Sequence, residues 1–168
     1  MWGEGLVKDV ATKRRKTNQP DNIERRHETS AGGVVWRRTA GKLEIVMARP
    51  AGKDAWVLPK GQPNPGETLV ETAARETREE TGIEVSPGAE VGKISYIFSW
   101  RDGPGKPLVR IFKNVHYFLM EPRGGSLDAH DHEMDEVRWM DIEEAEHRAS
   151  YKSDREIIVK ARAMLAEA

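Results

Sequence analysis

Gly61-Gln62-Pro63-Asn64-Pro65-Gly66-Glu67-Thr68-Leu69-Val70-Glu71-Thr72-Ala73-Ala74-Arg75-Glu76-Thr77-Arg78-Glu79-Glu80-Thr81-Gly82-Ile83 is a breaker-rich loop that runs into a helix. Thr68 and Glu71 have capping-box spacing, Leu69, Ala73 and Thr77 recur every four residues, and Gly82 is suited to stop the helix. The spacing predicts a helix over about 68 to 81. On it Glu76, Glu79 and Glu80 stand at i, i+3 and i+4, so their carboxylates share one side of one turn and repel one another. A solvated acidic face accommodates that, with Arg75 between Glu71 and Glu79. A hard divalent cation accommodates it too, because such ions take oxygen ligands and keep substrate phosphates in their shell.

Upstream, Val34-Val35-Trp36 and Leu43 to Met47 are β-rich runs separated by Thr39-Ala40-Gly41-Lys42, which reads as a hairpin. A short apolar run, Trp56-Val57-Leu58, ends at Pro59. Downstream, 91 to 98 and 108 to 120 read as strands joined by the turn-rich segment 102 to 107, with 136 to 140 as a shorter strand. The chain closes on a helix, with a second capping box at Ser153 and Glu156 and an apolar stripe of Ile157, Ile158, Ala161 and Leu165. The order argues for an α/β fold, a mixed β-sheet with helices on both faces.

With 168 residues, one core is expected; 38% hydrophobic and 33% charged residues suit a water-soluble globule. Cysteine is absent, which excludes a disulfide framework, a thiolate zinc site and a cysteine nucleophile, and fits a cytoplasmic setting. No apolar run approaches the roughly 18 to 20 residues of a membrane span, and the expectation is no membrane partner and no export signal. Net charge is −1, so bulk attraction to nucleic acid is not expected. Residues 1–28 carry seven Lys/Arg against five Asp/Glu, and the remainder 20 against 23. The basic run Lys13-Arg14-Arg15-Lys16 lacks apolar periodicity, so 1–28 reads as a basic, mobile N-terminal arm and 29–168 as the folded domain.

Gly61, Glu67, Arg75, Glu76, Glu79, Glu80 and Gly82 together resemble the signature of the Nudix hydrolases, every fixed position being present. Thr77 departs from it, standing where that family usually has a bulky aliphatic residue. Thr29-Ser30-Ala31-Gly32-Gly33 resembles the family's first strand and Trp56-Val57-Leu58-Pro59-Lys60-Gly61 its approach to the signature, so the likeness spans roughly 29 to 165. The resemblance implies a Nudix-type α/β/α sandwich and a metal-dependent hydrolase acting on a nucleoside diphosphate linked to another group. It makes Glu76, Glu79 and Glu80 both catalytic residues and ligands of Mg²⁺ or Mn²⁺, with the main-chain carbonyl of Lys60 assisting. It assigns Gly61, Glu67, Arg75 and Gly82 to support of the site, Glu67 and Arg75 as a bracing pair. The general base is expected either in the signature, at Glu76 or Glu79, or in the acidic loop, at Glu133, Asp135 or Glu136. His130 and His132 lack a third anchored ligand and are a weak zinc signal.

Arg49, Lys60, Lys113 and Tyr117 are the expected substrate-binding residues, the cations facing phosphates from strand ends. Trp36, Tyr96 or Tyr117 could stack on a base. Ser99 stands where ADP-ribose enzymes of the family carry a proline, and the coenzyme A signature is not visible. Leu58-Pro59-Lys60-Gly61 with Lys113 to Met120 resembles the bacterial diadenosine polyphosphate hydrolases and their inositol-pyrophosphate-cleaving relatives, and of these a diadenosine polyphosphate is the expected substrate. The alternatives are an (8-oxo-)nucleoside triphosphate pyrophosphohydrolase and a non-catalytic Nudix-fold binding module. The expected partner is a small nucleotide, the expected state a monomer or homodimer.

Overall fold

The computed structural model describes residues 23–167. The predicted hairpin is β1 (Ile23–Thr39) and β2 (Lys42–Pro50), closed by Ala40 and Gly41 with φ of 50° and 78°. Two left-handed residues form the turn whose twist matches the flanking strands, pairing Thr39 with Lys42 and Trp36 with Ile45. There follow β3 (Lys60–Gly61), α1 (Leu69–Thr81), β4 (Ile83–Arg101), β5 (Leu108–Gly125), β6 (Met134–Asp141), α2 (Ile142–Arg148) and α3 (Lys152–Ala166).

The sheet runs β4-β5-β1-β2-β6, with β3 on β1. β1 and β5 are parallel from Ile23 opposite Leu108 to Val35 opposite Met120, and the other pairs are antiparallel. Alternation along the strands splits neighbours between two cores. Val34, Ile45 and Met47 meet Ala145, Ile157, Ile158 and Ala161 of α2 and α3, whereas Val35, Val46 and Ala48 meet Ala73 of α1. The expected α/β/α sandwich is the observed architecture.

Four expectations are revised. β1 starts at Ile23, so residues 23–28, assigned to the arm, are a strand paired with β5; the rest of the arm lies outside the described residues. β4 extends from 83 to 101 through irregular pairing around Pro87, Glu90 and Gly92, and β5 runs on to Gly125. α2 had no predicted counterpart. α3 has Tyr151 at its N-cap with no side-chain cap bond, so Ser153 and Glu156 form no capping box. Burial replaces the cap: Ile157, Ile158 and Leu165 are almost fully buried, at about 1.5–3 kcal/mol each, against about 1 kcal/mol for a cap.

Trp56-Val57-Leu58 forms no strand of its own. Below Trp36 the two hairpin strands part and 56–61 wedges between them. Val57 exchanges both backbone hydrogen bonds with Ala48, Gly33 donates to the Pro59 carbonyl at 3.2 Å, and Lys60-Gly61 pairs with Gly32-Ala31. Gly32 permits this approach, since a Cβ there would overlap the Pro59 carbonyl, Lys60 and the Tyr117 ring. The wedge delivers Lys60 and Gly61 to the acidic turn of α1.

Candidate functional site

Helix α1 is set by short-range chemistry. Thr68 and Glu71 form the capping box, and Gly82, at φ 76°, ends the helix with its N–H on the Arg78 carbonyl. Beyond Gly82 the acidic loop docks on the same end, where Ser126 N–H donates to the Gly82 carbonyl and Asp131 N–H to the Glu79 carbonyl. A side chain at Gly82 would strike the Ser126 carbonyl.

Arg75 is the hub. Its Nε and Nη2 grip both oxygens of Glu67 at 2.8 and 2.9 Å, Nη2 also reaches the Gln62 carbonyl at 2.9 Å, and Nη1 reaches Glu76 at 2.8 Å and Glu79 at 3.2 Å. Thr72 Oγ1 and Asn64 N–H donate to Glu67 as well. The guanidinium foremost, then these donors, hold the Glu67 carboxyl down at about 2. The pair staples the 61–67 loop to the helix.

Glu76 packs against Gly61, where a Cβ would overlap its carboxylate. Burial raises its pKa, opposed by Arg75. Glu80 is only 5% exposed, with Oε2 accepting from Lys60 N–H at 3.0 Å. Burial pushes it up to about 8, partly offset by that N–H, and the charges of Glu76, Glu133 and Asp131 push the same way. Glu79 is the most open of the three. Among the described residues no three Asp, Glu or His side chains are gathered into a closed metal cage. The donor chemistry nonetheless fits a hard divalent cation: oxygen donors only, one buried carboxylate short of compensation, and further acidic groups facing it.

Of the loop candidates, Glu133 faces Glu76 and Glu80 and raises both. Asp135 accepts from Gly52 N–H at 3.0 Å and Glu136 pairs with Arg49 at 3.5 Å, so both are engaged elsewhere.

Glu80 and Lys60 line a cleft of about 490 Å³ together with Lys53, Leu58, Tyr96, Tyr151 and Asp154. Lys60 is pushed down by burial and by Lys113. Lys113 is 9% exposed and meets Glu28 at 3.4 Å. Three of the expected substrate residues, Arg49, Lys113 and Tyr117, are not among the residues that line this cleft. Arg49 is taken by Glu136 across the β2–β6 pair. Tyr117, expected to meet substrate, is fully buried, its hydroxyl donating to Asp154 at 3.4 Å.

Asp154 is the residue that sequence reading missed. It is 3% exposed, accepts from Leu58 N–H at 3.3 Å, and is pushed by burial up to about 6. Its signal is positional: it precedes Ile157, Ile158 and Ala161 by three, four and seven residues and so lies on their apolar stripe.

Residues 26–161 match the NUDIX domain. A Mycobacterium tuberculosis protein carrying the mutator name MutT4 is 36% identical over 165 residues, covering 92% of this chain and 64% of its own. An 8-oxo-(d)GTP phosphatase of Mycolicibacterium smegmatis is 29% identical, covering 77% of this chain and 39% of its own. The chain thus spans less than two thirds of the length of both. An asymmetrical bis(5'-nucleosyl)-tetraphosphatase of Mus musculus is 33% identical, covering 73% of this chain and 85% of its own. Among solved structures, a Caenorhabditis elegans Ap4A hydrolase binary complex superposes with a TM-score of 0.66 at 27% identity, covering 84% of this chain and 99% of that one. The chain belongs to the Nudix domain family.

Proposed function

We propose that the protein is a divalent-metal-dependent hydrolase of phosphoanhydride bonds, and that its substrate is a diadenosine polyphosphate. The observation that carries this is Glu80, a buried carboxylate among acidic neighbours that lines a cleft together with Lys53 and Lys60. Such a carboxylate calls for a cation, and a polyphosphate brings its own negative charge to the lysines. Glu76, Glu79 and Glu80, with the Lys60 carbonyl, would hold Mg²⁺ or Mn²⁺. Bound there, the cation would neutralise phosphate oxygens and lower the pKa of water.

The remaining work falls to the chain. Arg75 and Glu67 keep the loop rigid, and Lys60 and Lys113 offset charge on the phosphates beyond the reacting pair. Water attacks a phosphorus, the bond to the bridging oxygen breaks, and a carboxylate takes the water proton. Glu76 or Glu79 from the helix, or Glu133 from the loop, would take it. A pH–rate profile that loses its acidic limb in Glu133→Gln and keeps it in Glu79→Gln assigns the loop residue, and the reverse assigns the helix. Likeness to the asymmetrical tetraphosphatase and to the Ap4A hydrolase structure supports the dinucleotide reading.

A second reading, hydrolysis of 8-oxo-nucleoside triphosphates, draws on Asp154, a buried carboxyl able to meet a base edge, and on the 8-oxo-(d)GTP phosphatase likeness. Product analysis with Mg²⁺ separates them. ATP and AMP from diadenosine tetraphosphate support the first; monophosphate and pyrophosphate from 8-oxo-dGTP, with the dinucleotide untouched, support the second. Cleavage of neither overturns the hydrolase reading.

A further inference from the structure

Tyr96, Phe98 and Trp100 occupy alternate positions on β4, so strand geometry puts their three rings on one face. Their partners across the β4–β5 register are Lys113, Ile111 and Val109. Tyr96 also lines the cleft beside Lys60 and Glu80, so the row of rings begins in the cleft and runs out along the sheet, rising about 3.3 Å per residue. Tyr96, Phe98 and Trp100 are 37, 41 and 40% exposed, and none of the three belongs to either hydrophobic core. The Tyr96 and Phe98 centroids are 6.1 Å apart with a tilt of 31°. Three large rings left this open are poorly explained by packing.

We propose that Phe98 and Trp100, continuing from Tyr96, form a stacking platform for the second nucleobase of a dinucleoside polyphosphate. The proposal rests on the hydrolase reading above and deepens it. Charge arranges the ligand: Lys53 and Lys60 line the cleft, and Lys113 lies opposite Tyr96 in the β4–β5 register, beside Glu28. A phosphate chain held by these cations leads away from the acidic turn and presents its far base to the rings. Every base has a π face, so such a platform tolerates base identity. A nucleoside triphosphate has no second base to place there, and the rings therefore favour dinucleotides.

The test compares diadenosine tetraphosphate with adenosine tetraphosphate, which has the same phosphate chain and lacks the second base. In the double variant Phe98→Ala/Trp100→Ala of the 168-residue chain, the ratio of kcat/KM for the dinucleotide to that for the mononucleotide falls about tenfold, mostly through KM. Phe98→Tyr/Trp100→Phe, which keeps the rings, restores it. An unchanged ratio overturns the platform. So does a wild-type dimer that becomes monomeric in the double variant with its ratio intact, which makes the rings a subunit interface. If the wild type cleaves neither nucleotide, equilibrium binding of the two is compared with the same variants. A ring-dependent preference for the dinucleotide then upholds the platform while the hydrolase reading falls, and no such preference overturns it.

Discussion

The main-chain N–H of Lys60 donates to Oε2 of Glu80 at 3.0 Å, tying the wedge between β1 and β2 to the last turn of α1. One backbone donor does not balance a carboxylate that burial has lifted to about 8. The deficit is what a cation would fill.

Glu80→Gln and Glu79→Gln should each lower Mg²⁺-dependent turnover by about a hundredfold or more while circular dichroism keeps its native form. Near-normal rates in both variants would remove these residues from the reaction.

Stability without metal should fall as pH rises from 4.5 to 8. Below 4.5 Glu80 is protonated whether folded or unfolded; between 4.5 and about 8 the unfolded chain releases the proton and the folded chain retains it, which favours unfolding. Asp154 acts in the same direction between 3.8 and about 6, whereas the Glu67 contribution is lost only below 4.5, toward 2. Melting in EDTA tracks this decline, and added Mg²⁺ should recover most of it at pH 8. A Tm in EDTA that rises across that range would contradict the assignment.

Thr77→Val should stabilise the fold by about 1 kcal/mol. The Thr77 hydroxyl is buried without a hydrogen-bond partner, and the exchange removes that cost at nearly constant shape. Urea denaturation reads the shift in midpoint; a decrease would reveal a partner for the hydroxyl.

Gly32→Ala should do the opposite. The added Cβ meets the Pro59 carbonyl and the Tyr117 ring, so the wedge must shift, at about 1–3 kcal/mol. Turnover should fall along with stability, since Lys60 and Gly61 move with the wedge. Full activity in a folded variant would show that the site does not depend on this approach.

Features written in neighbouring residues were legible. Thr68, Glu71 and Gly82 bound α1 as expected, because caps are settled within a few positions. The hairpin was equally local. Helix α2 was not, since its seven residues bury only Ile142 and Ala145 and present no periodic stripe. The full length of β4 was hidden by Pro87, Gly88 and Gly92, which punctuate a sequence while β5 carries the strand past them. The partners of Arg49 and Tyr117 were not legible, because residue type shows chemistry and not partner: Glu136 and Asp154 meet them, and both pairings are made only by the fold.

The parallel pairing of β1 with β5 also sets when the site can exist. Ile23 meets Leu108 and Gly32 meets Tyr117, so the strand that receives the wedge is locked in place by residues synthesised much later. Such long-range closure slows folding, because loop entropy is lost before the contacts that reward it are made. A nascent chain that has already formed the capped helix α1 still lacks Tyr117 and Asp154 beneath Lys60, so catalytic competence should appear late in refolding, together with the last cooperative step.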